Sequence, residues 1–134
     1  HKMNEWIDST KPIAKIIAYT SFATDPLYFT KAPIFSIEKV LKQTNFNIND
    51  IDLFEINEAF SCVPLVAMEE LNIPFEKLNS HGGAVSLGHP IGASGARILV
   101  TLINALHINK LKYGIASLCI GGGEASAMLI EMCD

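Results

Sequence analysis

The amino-acid sequence predicts an α/β layered fold with a mixed sheet and helices on both of its faces. Short, apolar, β-branched segments alternate with segments of helical periodicity, and two apolar segments joined by the glycine turn 121–123 close the chain. With 134 residues, 49% of them hydrophobic, the chain can bury one ordinary core and is short for two. We therefore expect residues 1–134 to form one domain.

Four segments of the chain predict strands. Residues 12–19 and 52–56 are short and mostly apolar, with many β-branched side chains, which is typical of buried strands. Residues 113–120 and 125–131 have a similar character and are separated only by the glycine turn. Because so short a turn reverses the chain, we expect these last two strands to lie antiparallel.

Three segments predict helices. Ile37, Val40 and Leu41 recur at intervals of three and four residues, the spacing of an amphipathic helix. A second helix is expected at residues 60–71. Residues 92–106 predict a third, and because apolar side chains cover most of its circumference we expect it to be largely buried.

The composition argues against several classes of partner and location. The net charge is −4 and Arg97 is the only arginine, so the chain offers no basic stripe for nucleic acid. No apolar run is long enough to cross a bilayer, and residues 1–6 contain no signal-peptide core, so we expect no membrane partner and no secretion. Three widely spaced cysteines without a Cys-x-x-Cys pair indicate a reducing compartment, cytoplasmic or mitochondrial, and no metal site.

Residues able to carry chemistry lie at the ends of predicted elements, where ligands bind in open α/β sheets. They form four groups: Asn57–Phe60, His81–Gly83, Gly88–Gly95 and Cys119–Gly123. The glycine spacing of the third group differs from a dinucleotide fingerprint, so the glycines alone favour a tight turn before a packed helix.

Histidine and cysteine in these groups each have two interpretations. His89 is flanked by residues that restrict its backbone, so its imidazole can serve a reaction at neutral pH, although a single histidine is more often structural. We interpret His81 and His107 as structural. Amides of the glycine turn would favour a Cys119 thiolate, although a free cysteine is more often a buried apolar residue. Cys62 and Cys133 receive that second interpretation.

Three segments resemble the C-terminal signature blocks of the thiolase family, in the family's order. They are NEAF at 57–60, NSHGGAVSLGHPIGASGARI at 79–98 and LCIGGG at 118–123. One such block would be a weak match, but three in order are specific. The similarity extends from about Pro12 to Glu131.

The resemblance implies only the C-terminal half of a thiolase-like layered fold. In that fold the first strand of each half is central, and here it would lie upstream of His1, with residues 1–8 at the end of the helix that follows it. The sheet would then contain two unpaired internal edges. We therefore expect the N-terminal half of the same protein, or another copy, to complete the chain, and the full-length protein to be a homo-oligomer, a dimer or a tetramer.

The resemblance also implies catalytic roles. His89 would raise the nucleophilicity of a cysteine that becomes acylated, and would lend its imidazole to an oxyanion hole. Asn57 would hold the water that completes this hole. Cys119 would take the α-proton of acetyl-CoA and return it in the reverse direction, and the amide of Gly121 would help to form a second oxyanion hole.

The implied reaction is the reversible Claisen condensation of two acetyl-CoA molecules to acetoacetyl-CoA and coenzyme A, an acyltransferase activity of the acetyl-CoA acetyltransferase type. Coenzyme A would be a substrate moiety, and no further cofactor is expected. Ala59 and Phe60 would line the pantetheine channel, and the bulky Phe29 at the entrance favours short acyl chains. Because the acylated cysteine would lie in the N-terminal half, we expect the fragment alone to be inactive.

Other functions remain open at this point. A degradative 3-ketoacyl-CoA thiolase would share these blocks, and so would a catalytically silent thiolase-like binding module. A ketoacyl synthase shares the layered fold, but Cys119 disfavours it because those enzymes place histidine or asparagine there. His81 occupies a position where the family commonly has asparagine.

Overall fold

The computed structural model describes residues 11–133, so the predicted helix end at residues 1–8 lies outside the described part. A four-stranded sheet forms its centre. The strands are β1 (Ala14–Ala23), β2 (Leu53–Ile56), β3 (Tyr113–Cys119) and β4 (Glu124–Met132). Their order across the sheet is β1-β4-β3-β2, with β2 and β3 parallel and the other neighbours antiparallel. The predictions of a mixed sheet and of a closing antiparallel hairpin are confirmed.

Helices cover both faces of the sheet, as predicted. They are α1 (Ala32–Thr44), α2 (Cys62–Leu71), α3 (Ala84–Leu87) and α4 (Ser94–Asn109). Three single-turn 3-10 helices occupy Pro26–Tyr28, Ile48–Asp50 and Phe75–Lys77. These turns and α3 were not predicted, because segments of three or four residues are too short to show a hydrophobic period.

Two apolar clusters hold the layers together. The larger lies between the sheet and the α1–α2 layer, and the smaller lies between the sheet and α4. Within β3, Ile115 and Cys119 belong to the larger cluster whereas Ala116 belongs to the smaller one. This alternation follows from the two-residue period of a strand, and it decides which side chains of β3 can face α4.

The helix ends carry residues suited to reversing the chain. Asn45 and Asn72, which follow α1 and α2, adopt the left-handed conformation that asparagine tolerates better than most side chains. Lys110 adopts the same conformation after α4, and its backbone N–H donates to the carbonyl oxygens of the last turn. These ends turn α1 and α4 back towards β2 and β3.

The sheet contains no internal gap among the described residues, so the expectation of two unpaired internal edges is wrong for this part of the chain. β4 hydrogen bonds to β3 on one side and to β1 on the other, from Ala14 opposite Met132 to Ala23 opposite Glu124. Because β1 takes an outer position, no place inside the sheet is left open. The domain limits of residues 1–134 and completion by another half or another copy stay predictions.

Helix α4 is less buried than predicted. Its residues Ile98, Leu102 and Leu106 are buried against the sheet, but Val100 and Ile108 on the outer side are 67% and 60% exposed. The described chain provides a packing partner for only one side of this helix. None of the helices in the described part is long and apolar enough to cross a membrane.

A substitution at Gly123 tests the close approach between the hairpin turn and β1. Gly123 has φ +98°, and a Cβ atom there would lie 2.3 Å from the carbonyl oxygen of Thr24. We expect Gly123→Ala to lower the free energy of unfolding of the full-length protein by about 2 kcal/mol, measured by denaturant titration. Gly95→Ala is the matched control, since open space surrounds Gly95 in the first turn of α4 and alanine favours helix. Equal stability of the two variants would contradict this account.

Candidate active site

The candidate site lies where the parallel strands β2 and β3 end. Asn57 directly follows β2, and its backbone N–H donates to the carbonyl oxygen of Ser117 at 2.9 Å. Cys119 is the last residue of β3, two positions further on. His89 reaches the same edge from the loop between α3 and α4, because its imidazole contacts the side chain of Asn57. Three of the predicted catalytic residues therefore lie at one edge of the sheet, and the side chains of two of them, Asn57 and His89, are in contact.

The amide of Asn57 is completely buried and has a defined orientation. Its Oδ1 accepts from Nη2 of Arg97 at 3.4 Å, and its Nδ2 lies 3.4 Å from Nε2 of His89. A guanidinium group only donates hydrogen bonds, so the amide atom facing Arg97 must be the oxygen. The NH₂ group consequently faces His89.

The hydrogen bonds of Ser94 favour one tautomer of His89. Its Nδ1 lies 2.5 Å from Oγ of Ser94, and the Ser94 hydroxyl donates its single hydrogen to the carbonyl oxygen of Pro90 at 3.0 Å. With that hydrogen on Pro90, Oγ of Ser94 accepts from Nδ1–H, and the lone pair of the neutral imidazole lies on Nε2. His89 is exposed, so a reacting group can approach Nε2.

Behind Asn57 lies an ion pair that the sequence analysis missed. Glu55 of β2 is only 2% exposed, and its Oε2 is 3.6 Å from Nη1 of Arg97. Burial raises the pKa of Glu55 to about 7, although the positive charge of Arg97 opposes this shift and Glu58 adds to it. A carboxylate in the middle of a four-residue buried strand was the available signal, since such a group needs a cationic partner.

Cys119 lies at the same strand end but on the other face of the sheet. Its side chain is buried in the larger cluster, towards α1 and α2, and no hydrogen bond in the described part joins it to Asn57 or His89. Burial raises the pKa of the Cys119 thiol. The expectation that the glycine amides favour its thiolate is therefore wrong for the described residues, because loss of solvent outweighs the backbone dipoles.

The glycine turn after β3 presents a free amide. The backbone N–H of Gly123 donates to the carbonyl oxygen of Ile120 at 3.1 Å and closes the turn. Gly121 is exposed, nothing lies within 4 Å of the position of a Cβ atom there, and its N–H has no backbone partner among the described residues. This amide can therefore donate to an incoming oxygen.

The three predicted substrate-binding residues are close to one another. The rings of Phe29 and Phe60 meet edge to face with centroids 6.0 Å apart, and Phe60 is 60% exposed. Ala59 and Phe29 both pack against the larger cluster that contains Cys119. An aromatic pair, partly open to solvent, thus lies beside the larger cluster.

The solvent exposure of two cysteines and two histidines tests the interpretations given to them from the sequence. Cys62 and Cys133 are exposed, so interpreting them as buried apolar residues is wrong. Cys62 lies on the outer side of the first turn of α2, and Cys133 follows β4. His81 and His107 are also exposed, and neither makes a side-chain hydrogen bond in the described part of the chain, so interpreting them as hydrogen-bonded structural residues is wrong there.

Gly83, the last residue of the His81–Gly83 group, serves packing in this structure. A Cβ atom on Gly83 would lie 2.3 Å from the carboxylate of Glu58, whose Oε2 accepts from the backbone N–H of Val85 at 2.8 Å. The glycine therefore admits a side chain that caps the start of α3. Residues 11–133 contain no group of three histidine, cysteine, aspartate or glutamate side chains arranged to hold a metal ion.

Replacement of Glu55 by glutamine tests its raised pKa. The ordinary pKa of this carboxyl is 4.5, and in the folded protein it is about 7. Between these two pH values the folded protein holds a proton on Glu55 that the unfolded chain releases. The folding stability contributed by this group is therefore present at low pH and lost as the pH rises through 7. We expect wild type to lose about 2 kcal/mol more than Glu55→Gln between pH 5 and pH 8 in denaturant unfolding of the full-length protein. Parallel pH profiles of the two proteins would contradict the assigned burial.

Comparisons with known proteins place this geometry in a family. The family model described as "Thiolase, C-terminal domain" matches residues 10–132. Acetyl-CoA acetyltransferase 1 of Arabidopsis thaliana is 52% identical over 119 residues, covering 89% of this chain and 29% of that protein. The mitochondrial acetyl-CoA acetyltransferase of Rattus norvegicus is 52% identical over 121 residues, covering 90% and 28%. The chain thus spans about three tenths of the length of these relatives.

Solved structures agree with the sequence relatives. The acetyl-CoA acetyltransferase of Bacillus anthracis superposes with a TM-score of 0.92 at 41% identity, covering 98% of this chain and 34% of that one. The Acat5 thiolase of Ascaris suum in complex with coenzyme A gives a TM-score of 0.89 at 43% identity, covering 99% and 34%. The resemblance found in the sequence is confirmed: the chain belongs to the thiolase family, as its C-terminal domain.

Proposed function

We propose that the full-length protein containing this chain is a thiolase of the acetyl-CoA acetyltransferase type. It would reversibly condense two acetyl-CoA molecules to acetoacetyl-CoA and coenzyme A. The observation that carries the proposal is the contact between the Asn57 amide and Nε2 of His89 at the end of β2. Relatives bearing that name share about half of the aligned residues with this chain.

The hydrogen-bond pattern around His89 suits the first chemical step. With its proton on Nδ1, the imidazole accepts the proton of the cysteine thiol that becomes acylated, which makes that sulfur a thiolate and a better nucleophile. The imidazole then carries a proton on Nε2 as well, and this N–H turns away from the NH₂ group of Asn57 to donate to the oxygen of an acetyl-CoA thioester. A water held by Asn57 supplies the second donor to that oxyanion hole.

The oxyanion holes matter because the α-proton of a thioester is only weakly acidic. Removal of that proton creates an enolate whose negative charge collects on the thioester oxygen, where His89 and the water held by Asn57 would stabilise it. One preorganised donor of this kind typically contributes about 10² to 10³ in rate. The free amide of Gly121 would serve the carbonyl oxygen of the acyl-enzyme in the same way.

Cys119 would donate one proton and take up another in each catalytic cycle. The burial that raises its pKa keeps the sulfur protonated at rest, so it can protonate the coenzyme A thiolate that leaves when the first acetyl group is transferred. The Cys119 thiolate left by that step then removes the α-proton of the second acetyl-CoA. The resulting enolate attacks the acyl-enzyme carbonyl, the bond to the nucleophilic cysteine breaks, and acetoacetyl-CoA forms. Thiolysis runs the same steps in reverse.

Binding of the substrate is assigned to the aromatic pair Phe29 and Phe60. Phe29 and Phe60 would contact the pantetheine arm, with Ala59 beside them, and the bulk of Phe29 restricts the length of the acyl chain. The acylated cysteine and most of the coenzyme A contacts are assigned to the N-terminal half of the same protein. We further propose a homo-oligomer, either dimer or tetramer, located in the cytoplasm or in mitochondria, with no cofactor besides coenzyme A.

Rates on two substrates decide between the acetoacetyl-CoA activity and the degradative alternative. The proposal predicts that thiolysis of acetoacetyl-CoA by the full-length protein is faster than thiolysis of a long-chain 3-ketoacyl-CoA, measured as acetyl-CoA release. The opposite preference would assign the protein to the degradative thiolases. Activity on neither substrate would indicate the silent binding module.

Replacement of Cys119 tests the base that the proposal assigns. We expect Cys119→Ala to lower the condensation rate by about 10² to 10⁴, because no other group would remove the α-proton. Cys133→Ala is the matched control, since this exposed cysteine follows β4 and should leave the rate unchanged. An unchanged condensation rate in Cys119→Ala would remove the base assignment.

A further inference from the structure

We infer that Arg97 is a positioning residue of the proposed site: it fixes the Asn57 amide and, through that amide, the protonation pattern of His89. The inference rests on the proposed function and adds to it a residue that does not touch the reacting atoms. It follows from the hydrogen bond between Nη2 of Arg97 and Oδ1 of Asn57.

The orientation of the Asn57 amide matters because the two orientations demand different forms of His89. With its NH₂ group towards His89, the amide faces an Nε2 lone pair at a distance of 3.4 Å, which agrees with a proton on Nδ1. With its oxygen towards His89, the amide would need a proton on Nε2 instead. Nδ1 would then carry the lone pair and face Oγ of Ser94, whose hydrogen is already donated to Pro90.

Arg97 selects between these orientations because a guanidinium group has donors and no acceptor. Asn57 is 0% exposed, so bulk solvent does not compete for its Oδ1. Ser94 and Arg97 are three residues apart on α4 and therefore lie on one side of that helix. One helix thus holds both ends of the contact between Asn57 and His89.

Glu55 holds the guanidinium group in place. Glu55 and Asn57 are two residues apart, so their side chains emerge on the same face of the sheet, the face that α4 covers. The distance of 3.6 Å from Oε2 of Glu55 to Nη1 of Arg97 is long for a hydrogen bond but short for an ionic attraction in a buried site. A lysine ammonium group lacks the planar fork that lets Arg97 face Glu55 and Asn57 at once.

A double-mutant cycle in the full-length protein tests the inference. We expect Arg97→Lys to retain the charge beside Glu55 and to lower kcat for condensation by about 10²-fold, because a displaced catalytic group costs that much. In an Asn57→Ala background, the same change should lower kcat by less than about threefold, since the group through which Arg97 acts is absent. KM should stay within about threefold of wild type in Arg97→Lys.

An exposed ion pair outside the site provides the control. Lys112→Met breaks the exposed pair with Glu131 far from the site and should leave kcat unchanged. Equal losses from Arg97→Lys in both backgrounds would show a structural role and overturn the inference. Full activity of Arg97→Lys would overturn it as well, because a charge alone would then be sufficient.

The ¹⁵N shifts of the His89 imidazole give a readout that does not depend on turnover. In its neutral imidazole form, wild type should show a protonated Nδ1 and an unprotonated Nε2, and Arg97→Lys should shift this pattern towards the other tautomer. If wild type lacked thiolase activity, the proposed function would fail, and these shifts would still decide the inference. Identical shifts in wild type and Arg97→Lys would overturn it.

Should Arg97→Lys fold poorly, the pair Glu55→Gln with Arg97→Met removes both charges together and leaves no unpaired buried ion. Its ¹⁵N shifts should show the same loss of the wild-type tautomer. Wild-type shifts in this double variant would equally overturn the inference.

Discussion

The parallel pairing of β2 with β3 is the constraint on which the candidate site depends. Pairing in the register of Ile56 with Ser117 directs the carboxyl ends of both strands to one edge, and the hydrogen bond from Asn57 to Ser117 extends that register beyond β2. Residues far apart in the chain become neighbours because parallel strands need a long connection between them. A slip of one residue would move Asn57 and Glu55 to the opposite face.

The second requirement is the close approach of α4 to this sheet. A Cβ atom at Gly114 would lie within 3.0 Å of side-chain atoms of Leu102 and Leu106, so the helix packs where β3 has no side chain. This contact places the first turn of α4, with Ser94 and Arg97, beside Asn57 and His89. Apolar packing therefore supplies the position, and the polar chain from Glu55 through Arg97 and Asn57 supplies the orientation.

Local structure was largely predictable from the sequence, whereas partners across the sheet were not. The closing hairpin and the three longer helices follow from apolar periodicity and turn residues, which are local properties. The pairing of β1 with β4 depends on contacts between the two ends of the chain, and the expected gap beside them was wrong. The exposure of the outer side of α4 was missed for a similar reason, since the pattern shows which positions are apolar and not what covers them.

In the candidate site, too, local motifs were predictable from the sequence and contacts between distant residues were not. Asn57, His89 and Cys119 were predicted from their motifs, but the motifs could not tell which face of the sheet each side chain occupies. Glu55 and Arg97 were missed because the role of each depends on a partner about 40 positions away. A charge within a buried strand is a signal in the sequence, yet its meaning becomes clear only when α4 is packed against that strand.

The most direct test of this account is the position of an acyl group in a crystal structure of the full-length protein with acetyl-CoA. The account predicts the thioester oxygen about 3 Å from Nε2 of His89, with the sulfur of Cys119 within about 4 Å of the α-carbon. A thioester bound away from the ends of β2 and β3 would contradict it. So would a Cys119 sulfur that remains enclosed between the sheet and α1, out of reach of the acyl group.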